Sequence, residues 1–360
     1  MTSTTKLAAV LCMLAIGAAP LSASEFHFGG FIKANARHID GNIAFQDSWT
    51  GGGSVTDPAK RSQFSATESR LNIGVTHGGV KGFIEVDFAG SSQGNAIISN
   101  SYSPRLRHAF IKHQEVTVGQ TWSTLVNTST FAETADLGGP LVGQAMVRQA
   151  LVRYQSEHWQ FALENPYTYG TQTLSDTAKT TGFEWIDTSN DYVPDAILRF
   201  DQQGDWGNVS VASLLRYLDP SSSAKLAVGV SVAAKLRTFG KDDLRIQLHY
   251  GNLGRYVGTD AARDIVNGKV ETTTSAMFAY RHFWTERTRS SLFYGRTVTE
   301  VEQTDRAHIG ANIFTNLTPA LALGLELGRY QINDDLSAYT LQPVAQGASN
   351  YAQLSLQFHL

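Results

Sequence analysis

The chain has 360 residues, of which 42% are hydrophobic and only 17% charged, and its formal net charge is −3. Soluble globular proteins carry roughly 25% charged residues, and a net acidic chain has no broad basic surface with which to hold a nucleic acid, so that class is excluded. The single cysteine is Cys12, so stability must come from burial and sheet closure and not from cross-links.

The first stretch, MTSTTKLAAVLCMLAIGAAPLSAS, carries one positive charge at Lys6, an apolar run from Leu7 to Ala19, a break at Pro20 and small residues at Ser22 to Ser24. This layout predicts a secretory signal peptide over residues 1–23, cleaved after Ala23 or Ser24. The apolar run falls short of the roughly 20 residues a spanning helix needs. Leu11 precedes Cys12 where lipoprotein processing wants a small residue, which argues against lipidation. No later run is long and apolar enough for a helix to span a membrane. What remains is a large secreted β protein or an outer-membrane barrel.

Apolar and polar residues alternate through the rest of the chain. Leu244, Ile246, Leu248 and Tyr250 are separated by Arg245, Gln247 and His249, and Leu354, Leu356, Phe358 and Leu360 by Ser355, Gln357 and His359. Such runs predict sixteen strands, centred near residues 32, 71, 85, 108, 119, 151, 162, 198, 212, 231, 247, 279, 293, 311, 324 and 355. An even number of roughly ten-residue alternating segments points to an all-β fold, a 16-stranded antiparallel transmembrane β-barrel occupying residues 24–360. Short turns follow every second strand, at HGGVKG (from 77), KHQEV (112), SEHW (156), QGDWGN (203), FGKDDL (239), HFWTERT (282) and NLTP (316). Longer loops fill most other gaps, at 39–63, 89–104, 123–147, 165–194, 252–271 and 331–349. The short gap at 219–224 is the exception. Tight periplasmic turns on one rim and long extracellular loops on the other give this parity. Aromatics near strand ends, among them Phe26, Phe28, Trp122, Trp159, Trp206, Tyr217, Tyr250, Tyr280, Trp284 and Tyr330, fit interfacial girdles.

Charges keep to one face of each strand. Lys33, Asn35 and Arg37 lie opposite Ile32, Ala34 and Ala36; Arg70 lies opposite Leu71; Glu85 and Asp87 lie opposite Ile84 and Val86. Arg105, Arg107, Arg153, Arg199, Arg245 and Arg281 follow the same rule. A lipid-facing Arg at the bilayer midplane costs about 2–4 kcal/mol, so these side chains are expected to point inward. Sixteen strands leave an aqueous channel, and guanidinium suits carboxylate or phosphate. The same alternation places His108 on the outward face beside Leu106 and Phe110, where an ionisable group is unwelcome in lipid. A neighbouring subunit is therefore expected to cover it. The 123–147 loop contains Leu125, Val126, Phe131 and Leu137, with Glu133 and Asp136 its only charges. Folded into the lumen, it would bring both carboxylates toward the cations of the first strands and set a transverse field across a constriction.

The ordered set SEFHFGGFIKANA, FSATESRLNIGV, FIEVDFAG, RLRHAF, VGQTWSTL, LGGP, RQALVRY and FALENP, over residues 24–166, resembles the DcaP-like porins of Gram-negative outer membranes. The resemblance implies a homotrimer in outer-membrane lipid, passing small anionic solutes such as dicarboxylates through an arginine-rich lumen. Carried over by position, its pore cations are Lys33, Arg37, Arg70, Arg105, Arg107 and Arg153, with Glu133 and Asp136 in the constriction loop. The chain departs from the family in starting its barrel almost at the cleavage site and in ending in Leu360 where an aromatic is usual. No HExxH, CxxC, Walker or GxSxG motif is present, and no cofactor is implied. An outer-membrane barrel enzyme remains an alternative, as does a secreted β-sheet binding protein. Asp187, Asn190, Asp191 and Asp195 could offer oxygens to calcium, although their spacing fits no calcium loop. GGGS at 51–54 reads as flexible loop.

Overall fold

Alternation forces each strand to offer one apolar and one polar face, and the sheet satisfies both by closing on itself. In the computed structural model this sheet consists of antiparallel strands joined in a ring. The structure describes residues 24–43, 55–94, 98–136, 138–173, 183–219, 224–258, 262–335 and 345–360. The segment expected to be a signal peptide, GGGS and Leu137 lie outside them.

Strand β1 is Glu25–Ile43. Two segments, Val55–Ser65 and Arg70–His77, lie end to end along the same edge of β1 and together form β2, interrupted at residues 66–69. The seventeen hydrogen-bonded segments of the ring therefore make sixteen staves. The next are β3 (Val80–Asp87), β4 (Arg105–His113), β5 (Val116–Trp122), β6 (Arg148–Gln155) and β7 (Trp159–Glu164). Then come β8 (Asp195–Gly204), β9 (Gly207–Leu218), β10 (Lys225–Arg237), β11 (Asp243–Gly251) and β12 (Thr273–Phe283). The last are β13 (Thr288–Thr299), β14 (Asp305–Asn316), β15 (Leu321–Asp334) and β16 (Ala345–His359). Closure comes from β1 against β16, in register from Phe31 with His359 to Gly41 with Ser349. All sixteen expected strand centres fall inside these strands. Two expected loops are shorter than their sequence suggests, because β1 runs on to Ile43 with β2 starting at Val55, and β15 runs on to Asp334 with β16 starting at Ala345.

The outer face carries Ile32, Leu71, Ile84, Leu106, Val118, Val152, Leu198, Leu248, Leu325 and Leu356, all exposed as a lipid-facing band requires. Phe26, Phe28, Trp159, Trp206, Tyr250 and Trp284 are exposed near its rims, where amphipathic rings favour the headgroup level. Trp122 and Tyr330 depart from the girdle expectation. Tyr330 is fully buried, and Trp122 packs edge-on against His108 and Phe131.

The apolar core lies inside the ring. It forms where the 123–147 loop meets inward side chains of β8 to β16 and of β1. Leu125, Val126 and Ala145 pack with Ile197, Ala212 and Leu214; Ala132 packs with Met277, Ala279 and Phe293; Leu141 and Val142 pack with Ile39, Ile43, Tyr330 and Tyr351. The loop thus enters the lumen and fills one side of it.

Candidate functional site

The inward cations divide into two groups. On the first wall the strands place Arg70 (β2), Arg105 and Arg107 (β4) and Arg153 (β6), with Arg148 at the start of β6. Asp87 accepts from Arg105 at 3.0 and 2.7 Å and from Arg107 at 2.9 Å, while Glu85 accepts from Arg107 at 2.8 Å. Arg70 and Arg148 have no carboxylate within ion-pair distance among the described residues. Arg70 lies over the Phe31 ring at 5.2 Å and Arg148 over the Trp122 ring at 4.4 Å. The buried Nε of Arg70 has no hydrogen-bond acceptor, and neither does that of Arg153, whose other contact is to the Trp122 carbonyl at 3.4 Å. Four guanidiniums (Arg70, Arg105, Arg107, Arg148) therefore face two carboxylates, which leaves this wall cationic.

The second group of cations holds the 123–147 loop. Arg199 donates to the Val126 carbonyl at 2.7 Å and to Asp201 at 2.9 Å. Arg245 donates to the Phe131 carbonyl and to Asp243. Lys33 donates to Glu68 and to the Ala135 carbonyl. Arg37 bridges Gln353 at 2.8 Å and Asp136 at 3.4 Å. Burial, reinforced by the neighbouring Glu68, raises the Asp136 carboxyl above the ordinary range, with Arg37 opposing. Glu133 is gripped by Arg289, with Nε at 2.8 Å and Nη2 at 2.6 Å, and by Arg281 at 3.4 Å.

This arrangement corrects one expectation about the loop. Asp136 does meet a first-strand cation, Arg37, but Glu133 docks on β12 and β13. Each carboxylate contacts a wall cation directly, so the pair anchors the loop and does not face cations across a gap. The loop is held on the side away from the Arg70 to Arg153 wall. Neutralising cations where the loop lies leaves uncompensated charge where it does not.

A second correction concerns His108. The ladder between β3 and β4 slips by one residue, so that Glu85 pairs with His108 while Val86 pairs with Leu106. Arg107 is the extra residue of a β-bulge, and the bulge turns both Arg107 and His108 inward. Both are buried. His108 contacts Thr121 Oγ1 through Nδ1 at 3.1 Å and packs among Phe83, Phe110 and Trp122. It therefore does not lie on the lipid face, and the reason for assigning it to a subunit contact disappears.

The calcium candidates do not converge. Asp187 caps a single 3-10 turn through Ser189, Asp191 accepts from the Thr168 backbone and hydroxyl, and Asp195 is bound by Arg216 and Tyr256. No metal-type cluster occurs among the described residues. Sequence reasoning missed Arg148 and Arg289. Arg289 is in phase with inward Ser291 and Phe293, which was readable. Arg148 stands at a strand start, where alternation gives no direction.

On the side of the short turns, a cavity of about 260 Å3 is lined by Lys33, Glu133, Arg289, Gln357 and His359. A second of about 300 Å3, lined by Arg281, Glu286, Arg289, Asn316 and His359, adjoins it. The lumen thus continues past the loop toward that rim.

Residues 22–160 match the family model described as DcaP outer membrane protein. That is the family the sequence motifs resemble. The crystal structure of the outer-membrane channel DcaP of Acinetobacter baumannii superposes with a TM-score of 0.73 at 17% identity, over 92% of this chain and 97% of that one. An anion-selective porin from Comamonas acidovorans follows at 0.59 and 14% identity, covering 94% and 100%. OmpF of Salmonella typhi, in a complex with daunomycin, gives 0.51 and 12%, covering 93% and 97%. At such identities these likenesses establish the porin fold, with the DcaP channel showing the highest TM-score of the three. No curated protein matches the sequence.

Proposed function

We propose that the chain is an outer-membrane porin through which small anions, dicarboxylates among them, diffuse passively. The observation that carries this reading is the pair Arg70 and Arg148, two inward guanidiniums without carboxylate partners, beside Arg105 and Arg107. A cleft lined by one sign of charge with low-dielectric walls concentrates the opposite ion. Rings of Arg or Lys are a recurrent basis for anion pores. Planar guanidinium also offers paired donors to a carboxylate in transit. Because Phe31 and Trp122 bond these guanidiniums through ring faces only, no carboxylate competes with a solute for their terminal N–H groups. The contacts are also weak enough individually for the solute to leave, as conduction requires. The similarity to a DcaP channel and to an anion-selective porin supports the same reading.

The reading includes export by a cleaved signal peptide over residues 1–23, residence in the outer membrane of a Gram-negative bacterium, assembly as a homotrimer, and a channel role without enzymatic turnover. Planar-bilayer recordings in a salt gradient test it. Wild type should show a reversal potential of the anion-preferring sign, and Arg70→Gln with Arg148→Gln should move it toward zero. Cation preference in the wild type, indifferent to both substitutions, would overturn the proposal.

A further inference from the structure

A second loop also enters the lumen. On the β11–β12 connection, Val257 forms an antiparallel bridge with Ala145 of the 123–147 loop. Two backbone bonds flank it, Met146 N–H to the Tyr256 carbonyl at 2.9 Å and Gly258 N–H to the Gln144 carbonyl at 2.8 Å. Leu253, Tyr256 and Val257 are fully buried and pack on Leu125, Val126, Ile197 and Leu214. The Tyr256 hydroxyl donates to Asp195 at 2.6 Å and accepts from the Gln149 amide at 3.1 Å. The returning limb of the 123–147 loop is therefore backed by another loop as well as by the wall.

Several side chains fasten that second loop, among them Arg255 to Asp195 at 3.6 Å and Glu271 to the backbone N–H groups of residues 300–302, and one of them joins it to two other elements at once. Arg216 of β9 is wholly buried and donates to four groups: Asp195 of β8 at 3.1 Å, Asn252 at 2.9 Å, Asp264 at 2.5 Å and the Tyr167 carbonyl at 2.8 Å. Asn252 and Asp264 both belong to the β11–β12 connection, and Tyr167 to the β7–β8 loop. Asn252 passes the grip on by donating to the Asp264 and Glu271 carbonyls at 2.8 and 3.0 Å. A buried charge of this kind is stable only while its donors are all satisfied. Removing it leaves two carboxylates facing each other where the loop is now held. The strands themselves close without it.

We propose that the β11–β12 loop is a second constriction element and that Arg216 is the positioning residue that keeps it in the lumen. The inference rests on the porin reading. Pulled outward, the β11–β12 loop takes with it the bridge at Ala145, both flanking bonds and the Tyr256 contact. The returning limb of the 123–147 loop then moves away from its present seat, and the bore widens.

Single-channel conductance and the largest poly(ethylene glycol) that enters the pore test this. Arg216→Gln should raise both in barrels that still migrate as folded. Ala145 and Val257 form a non-hydrogen-bonded antiparallel pair, whose Cα separation of about 4.5 Å suits a disulfide. Ala145→Cys with Val257→Cys, added to Arg216→Gln and oxidised, should restore wild-type conductance, and dithiothreitol should undo the restoration. Wild-type conductance and size limit in folded Arg216→Gln would overturn the proposal, as would a rise that the disulfide does not reverse. Should Arg216→Gln fail to fold, Tyr256→Phe keeps the ring and loses the Asp195 bond. It should then show the same direction of change, and no change would overturn the proposal. Wild-type protein that forms no channel overturns the porin reading and this inference with it, whereas a conducting wild type with unresponsive variants overturns the inference alone.

Discussion

Gly143 of the inward loop lies on Gly295 of β13, backbone against backbone. A Cβ on Gly143, whose φ is +92°, would stand 2.3 Å from the Ala276 carbonyl and 2.8 Å from the Gly295 Cα, and a Cβ on Gly295 would stand 2.0 Å from the Val142 carbonyl. The Gly143 N–H donates to Thr297 at 3.0 Å across the same contact. Only glycine at both positions permits this approach. Gly295→Val should lever the returning limb off the wall and cost about 1–3 kcal/mol, the usual range for overpacking. Thermal unfolding in detergent should show the loss, and open-channel noise should rise.

Asp87 holds two arginines of the cationic wall, so neutralising it should have the opposite sign to neutralising an arginine. Asp87→Asn should free Arg105 for solute, leave Arg107 held by Glu85 alone, and increase anion preference in salt-gradient recordings. A fall in preference would show that Asp87 is needed to hold those guanidiniums toward the lumen.

Glu133 ties Arg281 and Arg289 to one point of the loop. Glu133→Gln should weaken both bridges and lose about 1–3 kcal/mol, discounted from the range for charged hydrogen bonds because all three side chains keep some solvent contact. Calorimetry should detect the loss, and the channel should flicker more as the outgoing limb loosens.

His108 reaches Thr121 inside the barrel, so His108→Ala should leave that hydroxyl without its buried partner and cost about 1–3 kcal/mol. Because the side chain does not lie on the outer face, migration on native gels should be unchanged.

Asp242, on the turn between β10 and β11, accepts the Phe283 N–H at 2.9 Å, with His282 and Tyr280 also donating. These bonds, the backbone one first, hold its carboxyl down at about 2. A depressed carboxylate stabilises the fold above its unfolded value of roughly 3.9 and loses that contribution as the pH falls through the folded value. The stability difference between wild type and Asp242→Asn should be present at pH 5, shrink below pH 4 and vanish only below pH 2. A difference undiminished at pH 2 would assign it to something other than ionisation.

The barrel was legible because alternation over six or more residues survives local exceptions. Ile32 through Arg37 and Leu244 through Tyr250 each mark a face without ambiguity. The bulge at Arg107 was not legible, since one inserted residue reverses every later side chain and nothing in RLRHAF announces it. The alternation of those six letters puts His108 outward with Leu106, whereas the bulge turns it to the same side as Arg107. The destination of the 123–147 loop was readable in kind, from its length and apolar content. The partners of Glu133 were not, because several inward arginines offer equivalent chemistry and only the path of the loop selects among them. Arg216 escaped for a related reason: its carboxylates come from other strands and loops, at separations of 21 and 48 residues.

The pairing of β1 with β16 joins residues more than 300 positions apart, through an eleven-residue register from Phe31 to Gly41. Contacts of such separation are slow to form, because the entropy of closing the intervening chain is lost before they return anything. Until they form, both end strands present open hydrogen-bonding edges that lipid cannot satisfy and other chains can. The step that seals the ring is thus also the one that ends the period of greatest aggregation risk, and a slowed closure should be visible as misassembly well before it is visible as a weaker finished barrel.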